Sequence, residues 1–171
     1  MSTRNNKGSY ANQNPMTCID SFVGNYRFLS NFYQRSVEYD GITYDNSEAA
    51  FQAQKCKNPD DRERFVGLNP SQAKKLGRKV QLRDGWDLVK DSIMYKVVLA
   101  KFKQHYDLRT KLLNTGFATL VEGNDWGDRY WGKVNGVGQN RLGEILMRVR
   151  EVFGGCGPMD DDPMPLLDLN N

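Results

Sequence analysis

Glu48, Gln52 and Lys55 follow one another at intervals of four and three residues, the spacing that stacks side chains on one face of an α-helix. A carboxylate, an amide and an amine are thereby lined up, the raw material of acid–base or nucleophilic chemistry. The small residues Ala49, Ala50 and Ala53 fall on the other faces. A structural role is also open to this face. Glu48 could be the return partner of a capping box begun by Asp45, and Lys55 a solvated cation.

Two other segments carry polar groups in unusual company. Phe28-Leu29-Ser30-Asn31-Phe32-Tyr33 encloses two hydrogen-bonding residues in aromatics, which suits a flat heterocycle and equally suits the edge of a core. Further on, Gly123-Asn124-Asp125-Trp126-Gly127-Asp128-Arg129-Tyr130-Trp131-Gly132 precedes Gly136-Val137-Gly138-Gln139-Asn140-Arg141-Leu142-Gly143. Glycine is too dense there for regular structure. Gly136-x-Gly138 leading into a helix would offer free amides and a positive dipole end to a phosphate. A dinucleotide fold is excluded, because no strand precedes the glycines and no βαβ unit follows. The plain alternative is a tight loop with Trp126 and Trp131 plugging the core beneath it.

These residues need elements to hold them. Val37-Glu38-Tyr39 and Ile42-Thr43-Tyr44 flank Asp40-Gly41, a two-residue hairpin turn. Asp45-Asn46-Ser47-Glu48 then offers a cap for a helix running to about Lys57. Further helices are expected at Asp60 to Val66, Ser71 to Gly77, Gly85 to Phe102, His105 to Asn114 and Arg141 to Val152. Within the longest, Trp86, Val89, Ile93, Val97 and Ala100 form an apolar stripe. Strands beyond the hairpin are confined to Ile19 to Val23 and Thr119 to Glu122. The expected fold class is mainly α (α+β): a single domain with a small β-hairpin or sheet.

The 171 residues, 39% hydrophobic and 26% charged, fit one globular domain over residues 18–153. Residues 1–17 are polar without period and residues 154–171 are rich in Gly, Pro and Asp, so both ends read as flexible tails. The second tail carries Asp160, Asp161, Asp162 and Asp168 and no base, so the net charge of +3 becomes +7 without it. Such a balance favours anionic partners. Pro165 to Asn170 could dock on a partner, although such endings are more often only solubilising. No apolar run of about 18 residues and no signal-like start is present, so a cytoplasmic protein with no membrane contact is expected. Cys18, Cys56 and Cys156 are scattered and His105 is the single histidine, which argues against a disulfide framework, a zinc site or a histidine-based triad. His105 reads as a cap or surface residue at a helix junction.

Taken together, Phe28-Leu29-Ser30-Asn31-Phe32, Asn46-Ser47-Glu48-Ala49-Ala50-Phe51-Gln52-Ala53-Gln54-Lys55, and the two glycine segments Asp128 to Gly132 and Gly136 to Gly143 resemble the NADAR (YbiA-like) family in order and spacing. The resemblance spans about Phe22 to Glu151 and takes in Trp86 and Leu120-Val121-Glu122. It implies a mainly helical YbiA-like fold and cleavage of N-glycosidic bonds between a phosphorylated ribose and a base or amine. Similar members are associated with removing ADP-ribose from guanine in nucleic acid, and others with phosphoribosylamino-pyrimidine intermediates of riboflavin synthesis.

By this resemblance Glu48 matches the family's essential glutamate, and Lys55, Trp86, Asp128, Trp131 and Asn140 fall on recurrent site positions. The chain departs in having Ala49 where many relatives carry an aromatic residue or histidine, a change that bears on ligand recognition. The expected catalytic set is Glu48, Lys55 and Asp128. The expected substrate-binding set is Phe28, Ser30, Asn31, Phe32, Gln52, Trp86, Trp131, Gly132, Gly138 and Asn140. Glu48 as an anion would stabilise positive charge on the sugar and orient water. Lys55, if neutral, would attack C1′ or its ring-opened aldehyde. Neither route calls for a cofactor or a metal. The expected partner is ADP-ribosylated guanine in nucleic acid or a phosphoribosylated small molecule, with no obligate protein partner evident. A non-catalytic reader of ADP-ribose or NAD is the alternative of another class.

Overall fold

The structure is a computed structural model that describes residues 18–154. The two expected tails, the docking peptide and Cys156 therefore lie outside the described residues.

The chain enters on strand β1 (Cys18–Ile19), makes a 3-10 helix over Gly24–Leu29, and forms an antiparallel hairpin from β2 (Gln34–Tyr39) and β3 (Ile42–Asn46). The hairpin turns as expected at Asp40 and Gly41, both with positive φ, as the tight turn matching strand twist requires. Val37 faces Tyr44 across it, and an irregularity between Gln34 and Val37 ends the regular pairing. β1 does not reach Val23, and it pairs in parallel with β4 (Thr119–Leu120). This short contact ties the start of the domain to the segment that precedes the glycine-rich loop.

Helix α1 (Ser47–Ala53) follows the hairpin directly, shorter than the expected run to Lys57. Its cap is Asn46, whose side chain accepts from the Ala49 amide at 2.8 Å. Asp45 instead accepts from the Gly67 amide at 2.7 Å, so the capping box between Asp45 and Glu48 does not form. Every residue of α1 is buried. Ala49, Ala50 and Ala53 make that possible, since small side chains let neighbouring elements approach the backbone closely.

The segment expected to be a helix at Asp60 to Val66 is a 3-10 helix, Pro59–Phe65, opened by the Asn58 side chain and the fixed φ of Pro59. Helix α2 (Pro70–Gly77) starts with a true capping box between Asn69 and Gln72. Helix α3 (Trp86–Gln104) packs against α1, α4 (Tyr106–Leu113), α5 (Arg141–Phe153) and β2. Because it has neighbours on several sides, its buried set is wider than the expected stripe and adds Met94, Tyr95, Val98, Lys101 and Phe102. No helix among the described residues is long and apolar enough to cross a membrane.

His105 sits at the junction of α3 and α4. Its Nδ1 accepts from Arg35 at 3.0 Å and its Nε2 donates to the Ser36 carbonyl at 2.6 Å. His105 is thus the C-cap of α3 and the N-cap of α4, as expected, and its ring in addition pins β2 to the helices.

Candidate active site

α1, α2, the start of α3, the Phe22–Phe32 segment and the glycine-rich loop enclose one cavity of 1180 Å³. Its wall contains nine of the expected residues: Ser30, Asn31, Phe32, Glu48, Gln52, Lys55, Trp86, Asp128 and Trp131. Glu48 and Gln52 of α1, and Lys55 two residues past its end, thus open on one space.

Glu48 is buried, 7% exposed, at the bottom of this space. Its Oε1 accepts from Gln52 Nε2 at 2.8 Å, one turn along the same helix. Burial raises the Glu48 pKa above the usual carboxylate range, while the Gln52 bond and the charges of Lys74 and Lys55 pull it back and Asp128 pushes it further up. Gln52 is locked in turn, because Gly77 of α2 lies so close that a Cβ there would stand 2.0 Å from Gln52 Oε1. Lys55 is half-buried with Nζ 5.8 Å from the centre of the Trp86 ring. Burial lowers its pKa; Glu48 opposes this, and Lys74, Arg78 and Lys90 add to it.

An aromatic wall rises beside these groups. Phe51 packs at 5.3 Å from Trp86 and edge-on at 5.4 Å from Trp131, which meets Tyr130 at 5.0 Å. Lys90 Nζ lies 4.1 Å from the centre of the Tyr130 ring, and the Tyr130 hydroxyl donates to Asp91 at 2.7 Å. Flat apolar faces are thus available within reach of charged groups, as small-molecule sites commonly provide.

The glycine-rich loop is held mostly by itself. Asp128 Oδ1 accepts from the amides of Tyr130 (3.0 Å) and Trp131 (2.9 Å). The Asn124 side chain donates to the Asp128 carbonyl at 2.7 Å and accepts from the Asp128 amide at 3.0 Å. Trp126 is 61% exposed at the cavity mouth, so it does not plug the core; Trp131, against Phe51, comes closer to that role.

Four expected binding residues are not in the cavity wall. Phe28 is buried edge-on against Phe102. Gly132 and Gly138 let strands of the loop touch: a Cβ on Gly132 would stand 2.1 Å from the Glu122 carbonyl, and one on Gly138 2.3 Å from the Gly132 carbonyl. Asn140 takes the left-handed conformation ahead of α5. Its side chain donates to the Leu120 carbonyl at 2.9 Å and accepts from the Glu122 amide at 3.0 Å. At the helix start considered for a phosphate, the first amides are already bonded. The amides of Asn140, Arg141 and Leu142 donate to the carbonyls of Gly132, Tyr130 and Trp131, which leaves none of the three for a ligand.

Cations stand elsewhere. Ser71, Lys74 and Lys75 of α2 and Arg78 at its C-cap line the cavity at intervals of three, one and three residues, the spacing of a single helix face. Arg27 and Lys90 join them. The same spacing test that singled out α1 would have found the α2 face. Met94 and Lys90 likewise follow Trp86 at one-turn steps along α3. Glu122 is a further cavity residue outside the expected sets; it lies after a two-residue strand, where no periodicity marks it.

The NADAR domain model matches residues 14–153. The chain is 44% identical over 130 residues to the N-glycosidase YbiA of Shigella flexneri, covering 74% of this chain and 81% of that protein. An N-glycosidase of Nostoc punctiforme is 40% identical over 133 residues, 74% of this chain and 85% of that one. A riboflavin biosynthesis protein of Vibrio vulnificus is 37% identical over 131 residues, which make up 35% of its length. The solved NMR structure of Escherichia coli YbiA superposes with a TM-score of 0.73 at 40% identity, over 81% of this chain and 86% of that one. Fold and relatives define the class, an enzyme of the N-glycosyl hydrolase type. The chain belongs to the NADAR family.

Proposed function

We propose that the protein removes ADP-ribose from the guanine amino group of modified nucleic acid by hydrolysing the ribosyl C1′–N bond. The observation that carries this reading is the cavity's division into an acceptor-bearing floor and a cationic wall. On the floor, Asn31 Oδ1 is a buried acceptor without a hydrogen-bond partner among the described residues, a cost of roughly 1–3 kcal/mol unless a ligand donates to it. Ribose hydroxyls are such donors. On the wall stand Lys74 and Lys75 of α2 and Arg78 at its C-cap, and phosphates are the matching anions. Asp128, with Oδ1 committed to the loop, has its other oxygen for a ribose hydroxyl.

In this mechanism Glu48 faces the anomeric carbon. As the C1′–N bond lengthens, positive charge grows on the sugar and a buried carboxylate stabilises it more strongly than one in water would. Lys55, just past the end of α1 and with its pKa lowered by burial, supplies the nucleophile of the covalent variant: its neutral amine displaces the base at C1′, the resulting glycosylamine opens its ring C1′–O bond to an imine, and water hydrolyses the imine to the free sugar and the amine. Borohydride added during turnover distinguishes the two routes. An adduct on Lys55 establishes the covalent one. Absence of an adduct together with an active Lys55→Ala protein leaves direct attack of water on a sugar stabilised by Glu48.

The relatives named for riboflavin biosynthesis favour a second substrate, a phosphoribosylamino-pyrimidine, which presents the same phosphorylated ribose on an exocyclic amine. Assay of both compounds side by side, with release of the sugar phosphate followed by mass spectrometry, decides between them. Release of ADP-ribose from modified guanosine at the higher kcat/KM supports the first reading. A preference for the pyrimidine overturns it in favour of the second, and binding without release from either compound identifies a reader.

A further inference from the structure

Glu122 is a cavity residue that this mechanism leaves unused. Its backbone is clamped on both sides: the amide donates to Asn140 Oδ1 at 3.0 Å, and the carbonyl accepts from the Lys133 amide at 2.9 Å. Gly132 closes in beneath it, so that a Cβ there would stand 3.0 Å from Glu122 Cγ. The backbone and Cγ of Glu122 are therefore fixed by the loop. Yet Glu122 Oε2 is buried and has no hydrogen-bond partner among the described residues.

The charged groups facing it come from four elements: Glu48 from α1, Lys74 from α2, Lys101 from α3 and Asp128 from the glycine-rich loop. Lys101 is fully buried, and its Nζ already donates to the carbonyls of Phe28 (2.6 Å) and Ser30 (3.0 Å). An ionised Glu122 would thus be a desolvated anion beside two other carboxylates, without a bonded cation. Protonated, it has no such penalty and carries a hydrogen to give.

We propose that Glu122 is the proton donor to the leaving nitrogen. This rests on the reading of the cavity as an N-glycosidase site with Glu48 at the anomeric carbon. The C1′–N electron pair goes to the base nitrogen, which takes the Glu122 proton. Water adds its oxygen to C1′ and gives a proton to Glu48. Proton exchange through solvent then returns Glu48 to the anion and Glu122 to the acid, so the balance is one water consumed per bond cut. The pKa of Glu122, pushed up to about 7 by burial first and by Asp128 next, is consistent with the assignment and matches the operating range of a general acid.

The test is Glu122→Gln, which keeps shape and hydrogen bonding but cannot transfer the proton. Two substrates are compared: ADP-ribosylated guanosine, and the 4-nitrophenyl glycoside of ADP-ribose, whose phenolate leaves unprotonated. The expected result is a kcat loss of about 100-fold or more on the guanosine compound, the usual scale of acid catalysis, with the nitrophenyl compound cleaved at nearly the wild-type rate. Equal losses on both, or none on guanosine, would overturn the proposal.

A carboxyl titration needs no substrate. With 13C-carboxyl glutamate, one resonance should titrate near pH 7 in the wild type and be missing from Glu122→Gln. A Glu122 midpoint in the ordinary carboxylate range overturns the assignment. A wild-type protein inert on guanosine refutes the substrate reading instead, and the titration then decides Glu122.

Discussion

Glu48 and Asp128 are both carboxylates in one cavity wall, yet they are built in opposite ways. Glu48 rides on a helix whose backbone bonds are satisfied internally, so its side chain is free to point at a ligand with one partner, Gln52. Asp128 belongs to a loop with no ladder of its own, and one of its oxygens serves two backbone amides. A helix provides a place for polar side chains at little structural cost, whereas a glycine-rich loop uses its polar side chains to exist at all. The difference implies that substitutions on α1 should strike turnover and those in the loop should strike stability.

The largest contrast expected is at Glu48. Glu48→Gln should reduce kcat by roughly 10²–10³-fold, the scale of removing one preorganised electrostatic group, while thermal unfolding stays at or above the wild-type midpoint because a desolvated carboxyl has been replaced by an amide. A fold loss in place of a rate loss would erase the distinction between the two regions.

Asn140→Ala should behave the other way. It removes the bonds to the Leu120 carbonyl and the Glu122 amide and leaves the latter unsatisfied, at an expected cost of about 2–3 kcal/mol in urea unfolding. Loss of activity without loss of stability would mean that this residue meets the substrate after all.

Glu122 sharpens the comparison, since it is a loop residue placed at the cavity. Its folded pKa of about 7 lies above the ordinary 4.5. Stability from the buried acid is therefore full below about pH 4.5 and is lost as pH rises through 7. Glu122→Gln should become more stable than the wild type over that interval, with a gap on the order of 2 kcal/mol that levels off above it. Denaturant midpoints at several pH values measure this, and a gap independent of pH would contradict it.

The smallest effect is at Trp126, exposed at the cavity mouth. Trp126→Ala should change stability by less than about 0.5 kcal/mol. It should raise KM for an oligonucleotide substrate, since base–aromatic stacking contributes roughly 1–3 kcal/mol per base, and leave kcat in place. Equal KM values would remove the loop from substrate contact at that point.

Periodicity explains what could be read in advance. The hairpin around Asp40-Gly41, the five α-helices and the shared face of Glu48 and Gln52 are legible because turn chemistry and helical spacing are local properties, whereas the end of α1 before Lys55 is not. The cap at Asn46 rather than Asp45 was not, because two adjacent residues both suit the role and the Gly67 amide claims one of them. Asn140, Gly132 and Gly138, expected at the ligand, instead meet carbonyls and amides of the chain itself, for Asn140 those of Leu120 and Glu122. Such pairings depend on β4 and α5 meeting, which no local pattern encodes. The cationic face of α2 was open to the same spacing test as α1.

The role of Glu48 is tested most directly by incubating ADP-ribosylated guanosine with wild-type protein and with Glu48→Gln and quantifying free ADP-ribose over time. The expected result is rapid release by the wild type and a rate at least about two orders of magnitude lower for the variant. Release by Glu48→Gln at the wild-type rate would contradict it.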